Sequence, residues 1–419
     1  MIRSIIKTQT AAETQTTIET QAGKWKNLCC LFLLLLSIFS CEAELSNSNN
    51  EVYDEGRGQL LASIKQHLVL PLLTDFKIKL DALDESITQK DLGLSQVAWQ
   101  DVMLHWQWLE LFQFGPAGVS GLRIAGQDLR DQIYAFPLSN PCRVEQVWAT
   151  ADYEADAWLS NAAINVIGLD AMEHLLFKEG SESVCPDSTR IIREGEWAQF
   201  QDDPNQVENQ RWAYLASLSQ GLQQGYTAIH QAWEGEFGQA FTKASTPFNS
   251  QREVIDQVFA GMFYFDEVVK DLKLGAPAGI YMTCLESQCP EQLELRSSNL
   301  SHLALANNLK ALQALFKGEY LLDLRLNPEP NAAAIPVYGF DHLLEQEGAA
   351  ELSEAIELHI SEALSLLDNI SSFEEALQDN PASITALHTK IKELCDLLKS
   401  QFVTVLNLSV PQEGAGDND

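Results

Sequence analysis

The chain has 419 residues, of which 46% are hydrophobic and 21% charged, so it can bury a sizeable core and is not an intrinsically disordered chain. Its 27 basic and 59 acidic residues give a formal net charge of −32 at pH 7. Such an acidic chain repels nucleic-acid phosphates and anionic lipids, which argues against nucleic acid as a partner. It favours cations, cationic peptides or simply a solvated acidic surface.

The N-terminus has the pattern of a bacterial lipoprotein signal peptide. Two lysines precede an apolar run over residues 28–39. This run is shorter than the roughly 20 residues of a membrane span and fits the h-region of a secretory signal, about 7–15 residues long. It ends in IFSC at residues 38–41, which is similar to a lipobox. We therefore predict a signal peptide over 1–40 and lipidation of Cys41; a cleaved signal with an incidental cysteine is the alternative.

The segment after the predicted cleavage point sets the expected location of the protein. Residues 41–58 are rich in Asn, Ser and Glu, a composition typical of a flexible tether. Several acyl chains on Cys41 would anchor the protein stably in a lipid bilayer. Glu42, rather than Asp, follows the cysteine. We predict a bacterial envelope protein attached to the outer membrane and facing the periplasm, with the cell surface as the alternative.

Five cysteines follow the tether, in a compartment that permits disulfides. Cys284 and Cys289 bracket a four-residue segment of a predicted loop, while Cys142 and Cys185 each adjoin a proline. Both pairs are candidate disulfides. Cys395 lies on an apolar helix face and is predicted to be a buried thiol. No second close pair of Cys or His accompanies Cys284 and Cys289, which argues against zinc there.

Helical periodicity dominates the remaining sequence. Apolar residues recur at spacings of three and four, and no long run alternates with a period of two, so we predict helices and no sheet. Asn380-Pro381 has the pattern of a helix start. Residues 94–114 are apolar on all sides, which predicts a central buried helix that ends at Gly115-Pro116. The helical stripes cover residues 215–237, 254–272, 352–370 and 384–405.

Breaks in this periodicity suggest the domain organisation. The stretch 238–250 contains Gly and Pro and interrupts the pattern. We place there a boundary between two packed helical bundles, over 59–240 and 250–408, followed by an acidic tail over 409–419. The predicted fold class is all-α.

Three stretches together carry a resemblance to a known family. Residues 99–116, WQDVMLHWQWLELFQFGP, are similar to the first long helix of that family. Gly168–Phe177, GLDAMEHLLF, lies where the family has Gly-x-His-x-x-Glu or, in a divergent branch, a segment similar to Gly-Leu-Pro-Ala-Leu-Glu-Tyr-Leu-Leu-Phe. Residues 274–316 contain LGAPAG and SSNLSHLALANNLKALQALF, and the similarity ends near 339–341. The chain thus resembles the imelysin family over about 59–408, which implies an imelysin-like fold and a link to iron uptake.

The sequence departs from the family's motif at one position. Asp170 stands where the motif has histidine, whereas Glu173 is retained, so the sequence is closer to the divergent branch. Some family members are described as metallopeptidases. This chain has no His-Glu-x-x-His, and the inverted form, His-x-x-Glu-His, would need histidine at position 170.

The residues around this motif are the candidate site. On a helix, Asp170, Glu173 and His174 share one face, and two carboxylates with an imidazole suit a divalent or ferric cation, iron before zinc or calcium. Glu110 would complete the set if its helix meets this one. Alternatively, Glu173 accepts hydrogen bonds from a neighbouring helix or an arginine, with Asp170 and His174 solvated. His105, among tryptophans, is a further ligand candidate, although a hydrogen-bonded core residue is the commoner role.

Three functions remain open from the sequence. The first is a non-enzymatic envelope lipoprotein that binds iron or another metal for uptake beside an outer-membrane metal transporter; the iron link follows from the resemblance. The second is a metallopeptidase that acts on exported polypeptides with Glu173 as base or ligand. The third is a structural envelope protein without a small ligand.

Overall fold

The computed structural model describes residues 54–320 and 335–411; the predicted signal peptide, Cys41 and most of the predicted tether lie outside these ranges. Within the two ranges the regular secondary structure is entirely helical, which confirms the predicted all-α class. None of the helices in these ranges is long and apolar enough to cross a membrane.

The helices are labelled in chain order. They are α1 (Glu55–Ser63), α2 (Leu70–Gln89), α3 (Leu92–Leu109), α4 (Leu129–Ile133), α5 (Pro141–Thr150), α6 (Trp158–Asn161), α7 (Gly168–Phe177), α8 (Arg190–Arg193), α9 (Glu196–Gln201), α10 (Pro204–Glu234), α11 (Glu236–Lys243), α12 (Gln251–Met262), α13 (Ser301–Lys317), α14 (Phe340–Gln346), α15 (Ala350–Leu367), α16 (Phe373–Asp379), α17 (Pro381–Leu397) and α18 (Val403–Leu406). Segments of π-helix cover Ile64–Val69, Phe265–Gly275 and Leu398–Phe402, and single 3-10 turns cover Gly115–Ala117, Asp152–Glu154, Ile164–Val166 and Pro290–Gln292.

The first half of the described chain is built on a long helical hairpin. α1, a π-helical segment and α2 follow one another without a break to Gln89, and Lys90 in the left-handed region ends the run. Asp91 then caps α3 by accepting a hydrogen bond from the Leu94 backbone N–H. α2 packs against both α3 and α10. The C-terminal half of α3 lies in the core, and α3 also packs against α7 and α13.

The prediction that α3 is central and buried along its whole length is wrong for its first two turns. Leu94 and Val97 are 52% and 58% exposed, and they line a surface groove against α2, whereas Trp99 and Val102 are fully buried. The helix also ends at Leu109, before the predicted Gly115-Pro116 stop. Apolar residues on every side of a helix are compatible with burial, but they do not specify which neighbouring element covers each turn.

The second half of the chain packs around α13, α15 and α17. α13 contacts both α3 and α15, while α17 contacts α15 and the π-helical segment Phe265–Gly275. α17 starts at Pro381 with Asn380 before it, as its sequence predicts. One cluster of buried apolar side chains runs through both halves. The break between α11 and α12 covers only residues 244–250, and the division into two bundles there stays a prediction.

Candidate functional site

The motif helix α7 is fixed in place by its first residue and by α3. Gly168 has φ +82°, and a Cβ atom there would lie 2.6 Å from the carbonyl oxygen of Ile133. The Trp99 indole N–H donates to the Leu169 carbonyl at 3.0 Å, and the Gln96 amide donates to the Leu176 carbonyl at 2.8 Å. The glycine of the motif therefore permits a close approach to α4, and two hydrogen bonds align α7 along α3.

We expect Gly168→Ala to destabilise the protein by more than Gly195→Ala does. Gly195 also has a positive φ, +76°, but open space surrounds its Cβ position. Gly195→Ala, the control, should lower the free energy of unfolding by about 1 kcal/mol, because alanine disfavours the left-handed conformation. Gly168→Ala should lower it by about 1–3 kcal/mol more, because the added methyl group would also collide with Ile133. Urea unfolding followed by circular dichroism measures both. Equal losses would show that the close approach is not a constraint.

Glu173 projects from α7 towards the loop that precedes α13. Its Oε1 accepts hydrogen bonds from the Ser298 backbone N–H at 3.0 Å and from the Ser298 hydroxyl at 2.8 Å. Burial raises the pKa of Glu173 to about 7. The hydrogen bonds from Ser298 oppose this rise, whereas the negative charge of Glu294 adds to it. Glu173 thus accepts hydrogen bonds, as one of the sequence-based alternatives assumed, but the donor lies in the loop before α13 and is neither a neighbouring helix nor an arginine.

Asp170 lies one turn before Glu173 and is only 8% exposed, so it is not the solvated residue that the same alternative assumed. Burial raises the pKa of Asp170 to about 7, and the neighbouring charge of Glu173 contributes. The backbone N–H groups of Asp170 itself, Ala135 and Ala171 moderate this rise, but none of them makes a well-formed hydrogen bond with the carboxylate. Within the described residues, both carboxylate oxygens of Asp170 lack a hydrogen-bond partner. A buried carboxylate without partners is costly and calls for an explanation.

A cavity of about 480 Å³ brings these carboxylates together with a third. Asp170, Glu173 and Glu294 all line it, and Tyr134 forms part of its wall. Glu294 is 2% exposed, and its Oε2 also has no hydrogen-bond partner among the described residues. Three buried carboxylate oxygens without partners, two on Asp170 and one on Glu294, therefore belong to side chains of one cavity wall.

Behind the cavity lies a buried ammonium group. Lys273 Nζ is 2.6 Å from Glu110 Oε2, 3.0 Å from Glu294 Oε1 and 2.6 Å from Gln107 Oε1. Asn308 Oδ1 is a further acceptor, at 3.0 Å. The network joins α3, the π-helical segment Phe265–Gly275, α13 and the loop before it. Lys273 is 2% exposed, so its ammonium group is almost completely shielded from water. The four side chains around it therefore provide the hydrogen bonds and negative charge that water would otherwise supply.

Glu110, predicted to complete a metal site with Glu173, is instead an ion-pair partner of Lys273. Glu294 connects this network to the cavity, because it accepts from the Tyr134 hydroxyl at 2.8 Å as well as from Lys273. Burial raises the pKa of Glu294, and the positive charge of Lys273 opposes the rise. Neither Lys273 nor Glu294 was among the site residues predicted from the sequence. Lys273 carried a signal, since it stands four residues after the buried Val269 in an apolar helical stripe.

His174 belongs to a separate cluster on another side of α7. Its Nε2 lies 3.2 Å from Glu145 Oε1, and Lys178 Nζ lies 3.1 Å from the same oxygen. The hydroxyl of Ser183 and the backbone N–H of Val184 donate to the other oxygen of Glu145. Burial raises the pKa of Glu145, but the hydrogen bonds from His174, Ser183 and Lys178 outweigh it and lower the pKa overall. His174 is therefore directed to α5 and not to Glu173.

His105 is a core residue in the structure. Its Nε2 lies 2.8 Å from the Leu72 carbonyl, and its side chain is 5% exposed between α2 and α3. Burial lowers the pKa of His105 to about 4, so the ring is neutral at neutral pH. No other predicted ligand residue contacts it.

Two disulfides cross-link segments near the cavity. Cys142 and Cys185 are bonded with an S–S distance of 2.07 Å, and Cys284 and Cys289 with one of 2.05 Å. Cys395 is a buried free thiol. The predicted lipidation site, Cys41, lies outside the described residues.

The predicted ligand set is thus divided among several environments. Asp170 and Glu173 share the cavity, while Glu110, His174 and His105 each have other partners. Across residues 54–320 and 335–411, no three His, Cys, Asp or Glu side chains are arranged to hold a metal ion by themselves. The cavity offers carboxylate oxygens, the donor type that hard cations prefer.

These features define an all-helical protein with a carboxylate-lined cavity beside its motif helix, and comparison with known proteins gives the family. The imelysin family model matches residues 67–401. The chain belongs to the imelysin family. No curated protein matches it.

Two solved structures share the fold. An imelysin-like protein from Psychrobacter arcticum 273-4 superposes with a TM-score of 0.61 at 17% sequence identity, over 85% of this chain and 97% of the other. A "putative iron-regulated protein A precursor" from Parabacteroides distasonis ATCC 8503 superposes with a TM-score of 0.59 at 17% identity, over 84% of this chain and 96% of the other. At this level of identity the likeness concerns the fold.

Proposed function

We propose that this protein is a non-enzymatic, lipid-anchored binding protein of the bacterial envelope that holds a cation, iron before other metals, in the cavity lined by Asp170, Glu173 and Glu294. The observation that carries the proposal is the set of buried carboxylate oxygens without partners on Asp170 and Glu294. Each is costly in the free protein, and a bound cation would satisfy them together. Binding of a cation would therefore offset the cost of burying these oxygens.

The chemistry of the donor set supports a hard cation. Asp170, Glu173 and Glu294 provide only oxygen donors, which suit ferric iron, manganese or calcium better than the thiolate and imidazole sites that zinc often occupies. Because the three carboxylates do not form a complete ligand set, water or a chelating molecule would supply the remaining donors. The net charge of −32 would also draw cations towards the molecule.

The assignment to iron rests on a protein of similar fold, and the proposed cellular location rests on the N-terminal sequence. The Parabacteroides protein carries the description "iron-regulated", and this chain shares its fold. Lipidation at Cys41 would hold the protein at the outer membrane, beside a metal transporter that takes up the cation.

We expect the chain from Glu42 onward to bind ferric iron or another hard cation, and we expect the bound cation to raise its thermal stability. Asp170→Asn and Glu173→Gln keep the size of each side chain but remove its charge, so each should weaken binding at least tenfold, about 1.4 kcal/mol. Glu354→Gln is the matched control, because Glu354 is exposed on α15, away from the cavity. Metal analysis of the purified protein and calorimetric titration measure the effect.

Three outcomes would contradict this proposal. They are the absence of bound metal with no thermal shift, equal binding by the cavity variants, and equal weakening by the control. Expression that is indifferent to iron supply would remove the assignment to iron.

A peptidase is the competing function, and one observation favours it. A carboxyl group with a pKa of about 7 beside a cavity, as in Glu173, is suited to general base catalysis. Cleavage of unfolded polypeptides that is sensitive to chelators and abolished by Glu173→Gln would replace the binding proposal with an enzymatic one. Cleavage that survives this substitution would place any catalysis elsewhere.

A further inference from the structure

The most exposed large apolar side chains in the described chain stand at the mouth of the cavity. Met282 is 79% exposed and Leu285 95% exposed, more than any other large hydrophobic residue there. Leu285 lies inside the loop that the Cys284–Cys289 disulfide closes, Met282 lies two residues before that loop, and Thr283 between them lines the cavity. Side chains of this kind, held towards solvent by a cross-linked loop, are typical of a surface that a partner covers.

Two further exposed apolar residues continue this surface around the mouth. Leu138 is 57% exposed and lies between Pro137 and Ser139, which both line the cavity. Val184 is 53% exposed and lines a neighbouring cleft that adjoins the cavity at Pro141. We call the segments 136–141, 178–185 and 280–291 the rim.

The charge of the rim indicates the kind of partner. Its acidic residues are Glu179, Glu182, Glu286 and Glu291, and its only basic residue is Lys178. Arg296, just outside these segments, also lines the cavity, but its guanidinium is paired with Glu374 at 3.0 Å. The ammonium of Lys178 is already bound to the buried Glu145. An apolar rim with unbalanced negative charge, over a cavity of carboxylates, is complementary to an apolar surface that carries a positive charge.

We infer that the rim binds an apolar segment of another protein that carries a lysine or arginine, and that this basic side chain enters the cavity mouth towards Asp170 and Glu173. The inference deepens the proposed function and rests on it for the role of the cavity. Insertion of the rim into a lipid surface is the less favoured occupant, because the acidic rim and the net charge of −32 oppose an anionic membrane.

Competition is the mechanistic consequence. A cation and a basic side chain would neutralise the same two carboxylates, so each would lower the affinity of the other by the same factor. Binding of the partner segment would then release the cation at the rim. The partner is in this way a protein that receives the cation or delivers it.

The test uses the chain from Glu42 onward and a library of random peptides. We expect selection to enrich peptides that have a lysine or arginine flanked by apolar residues. A synthetic peptide of the enriched sequence should bind at least tenfold more weakly when glutamine replaces its basic residue, and more weakly at high salt. Fluorescence anisotropy of the labelled peptide gives the affinity.

Variants of the rim separate this inference from the proposed function. The double variant Met282→Ser/Leu285→Ser should weaken the peptide at least tenfold and leave cation affinity unchanged, because neither residue is a carboxylate of the cavity. Leu358→Ser is the matched control, since Leu358 is 56% exposed on α15, and it should change neither affinity. Peptide binding without any cation binding would remove the proposed function and leave the partner surface.

Three results would overturn the inference. The first is enrichment of peptides without a basic residue or without apolar flanks, or of no peptides. The second is unchanged peptide affinity in the rim double variant. The third is binding to neutral phosphatidylcholine vesicles that depends on Met282 and Leu285 while no peptide binds, which would assign the rim to a lipid surface.

Discussion

Lys273→Met is expected to destabilise the protein by about 3–5 kcal/mol. The substitution nearly preserves the volume of the side chain but removes the ammonium group that neutralises Glu110 and Glu294, which are 0% and 2% exposed. Both carboxylates would then lose their ion-pair partner, although the Arg130 guanidinium would still interact with Glu110, and most of the cost of their desolvation would no longer be offset. Chemical denaturation at neutral pH, followed by circular dichroism, measures the loss.

A surface lysine provides the control for this substitution. Lys317 is also paired with two carboxylates, Asp341 and Glu357, but its side chain is 38% exposed. Lys317→Met should therefore cost no more than about 1 kcal/mol. Adding Glu110→Gln and Glu294→Gln to Lys273→Met should restore part of the stability, because those substitutions remove the uncompensated charges. Equal losses at Lys273 and Lys317, or no rescue, would show that the buried charges do not control stability.

Glu173→Gln is expected to stabilise the protein at pH 8 and to have little effect at pH 4. The pKa of Glu173 is about 7 in the folded protein, above the ordinary value of 4.5, so between these values the folded state holds a proton that the unfolded state has lost. Stability from this group therefore falls as pH rises from about 4.5 to 7, and the loss is complete above 7. The difference between the two pKa values corresponds to a destabilisation of roughly 3 kcal/mol at pH 8, which Glu173→Gln should remove.

The same sign applies to Asp170, whose folded pKa of about 7 compares with an ordinary value of 3.8. Asp170→Asn should also flatten the decline in stability between about pH 4 and 7. Unfolding curves at intervals across this range test both variants, with Glu354→Gln as the exposed control, for which a change within about 0.5 kcal/mol is expected. A cavity variant that loses stability at pH 8 would mean that its carboxylate is a structural partner. Gain of stability together with loss of cation binding is the combination that a binding site predicts.

The sequence predicted the helices well where a local signal marked them. The start of α17 follows from Asn380-Pro381, and the stripe Leu352, Ile356, Ile360 and Ala363 is the buried face of α15. Both patterns depend on residues within a few positions of one another. The extent of burial along α3 was not predictable in this way, because it depends on α7 and α13, which are distant in the sequence.

The candidate site was predicted only in part, because some of its residues share one helix and others meet only in the folded chain. Asp170 and Glu173 could be assigned to one face of α7, and both line the cavity. Glu173 and His174 are adjacent in sequence, however, so their side chains point about 100° apart around the helix. Asp170 lies between these two directions, and only the surrounding helices decide which neighbour shares its environment. Glu145, on α5, pairs with His174, and no local signal in the sequence predicted this contact.

The bond between Cys142 and Cys185 also affects how the molecule would respond to proteolysis. It closes a covalent ring in which the two cysteines are 43 positions apart, and the whole of α7 lies inside that ring. A single cut of the backbone within the ring, for instance in the segment 178–185, would leave the two pieces joined through sulfur. The helix that bears Asp170 and Glu173 would then remain part of one covalent molecule after a nick that would divide an uncrosslinked chain.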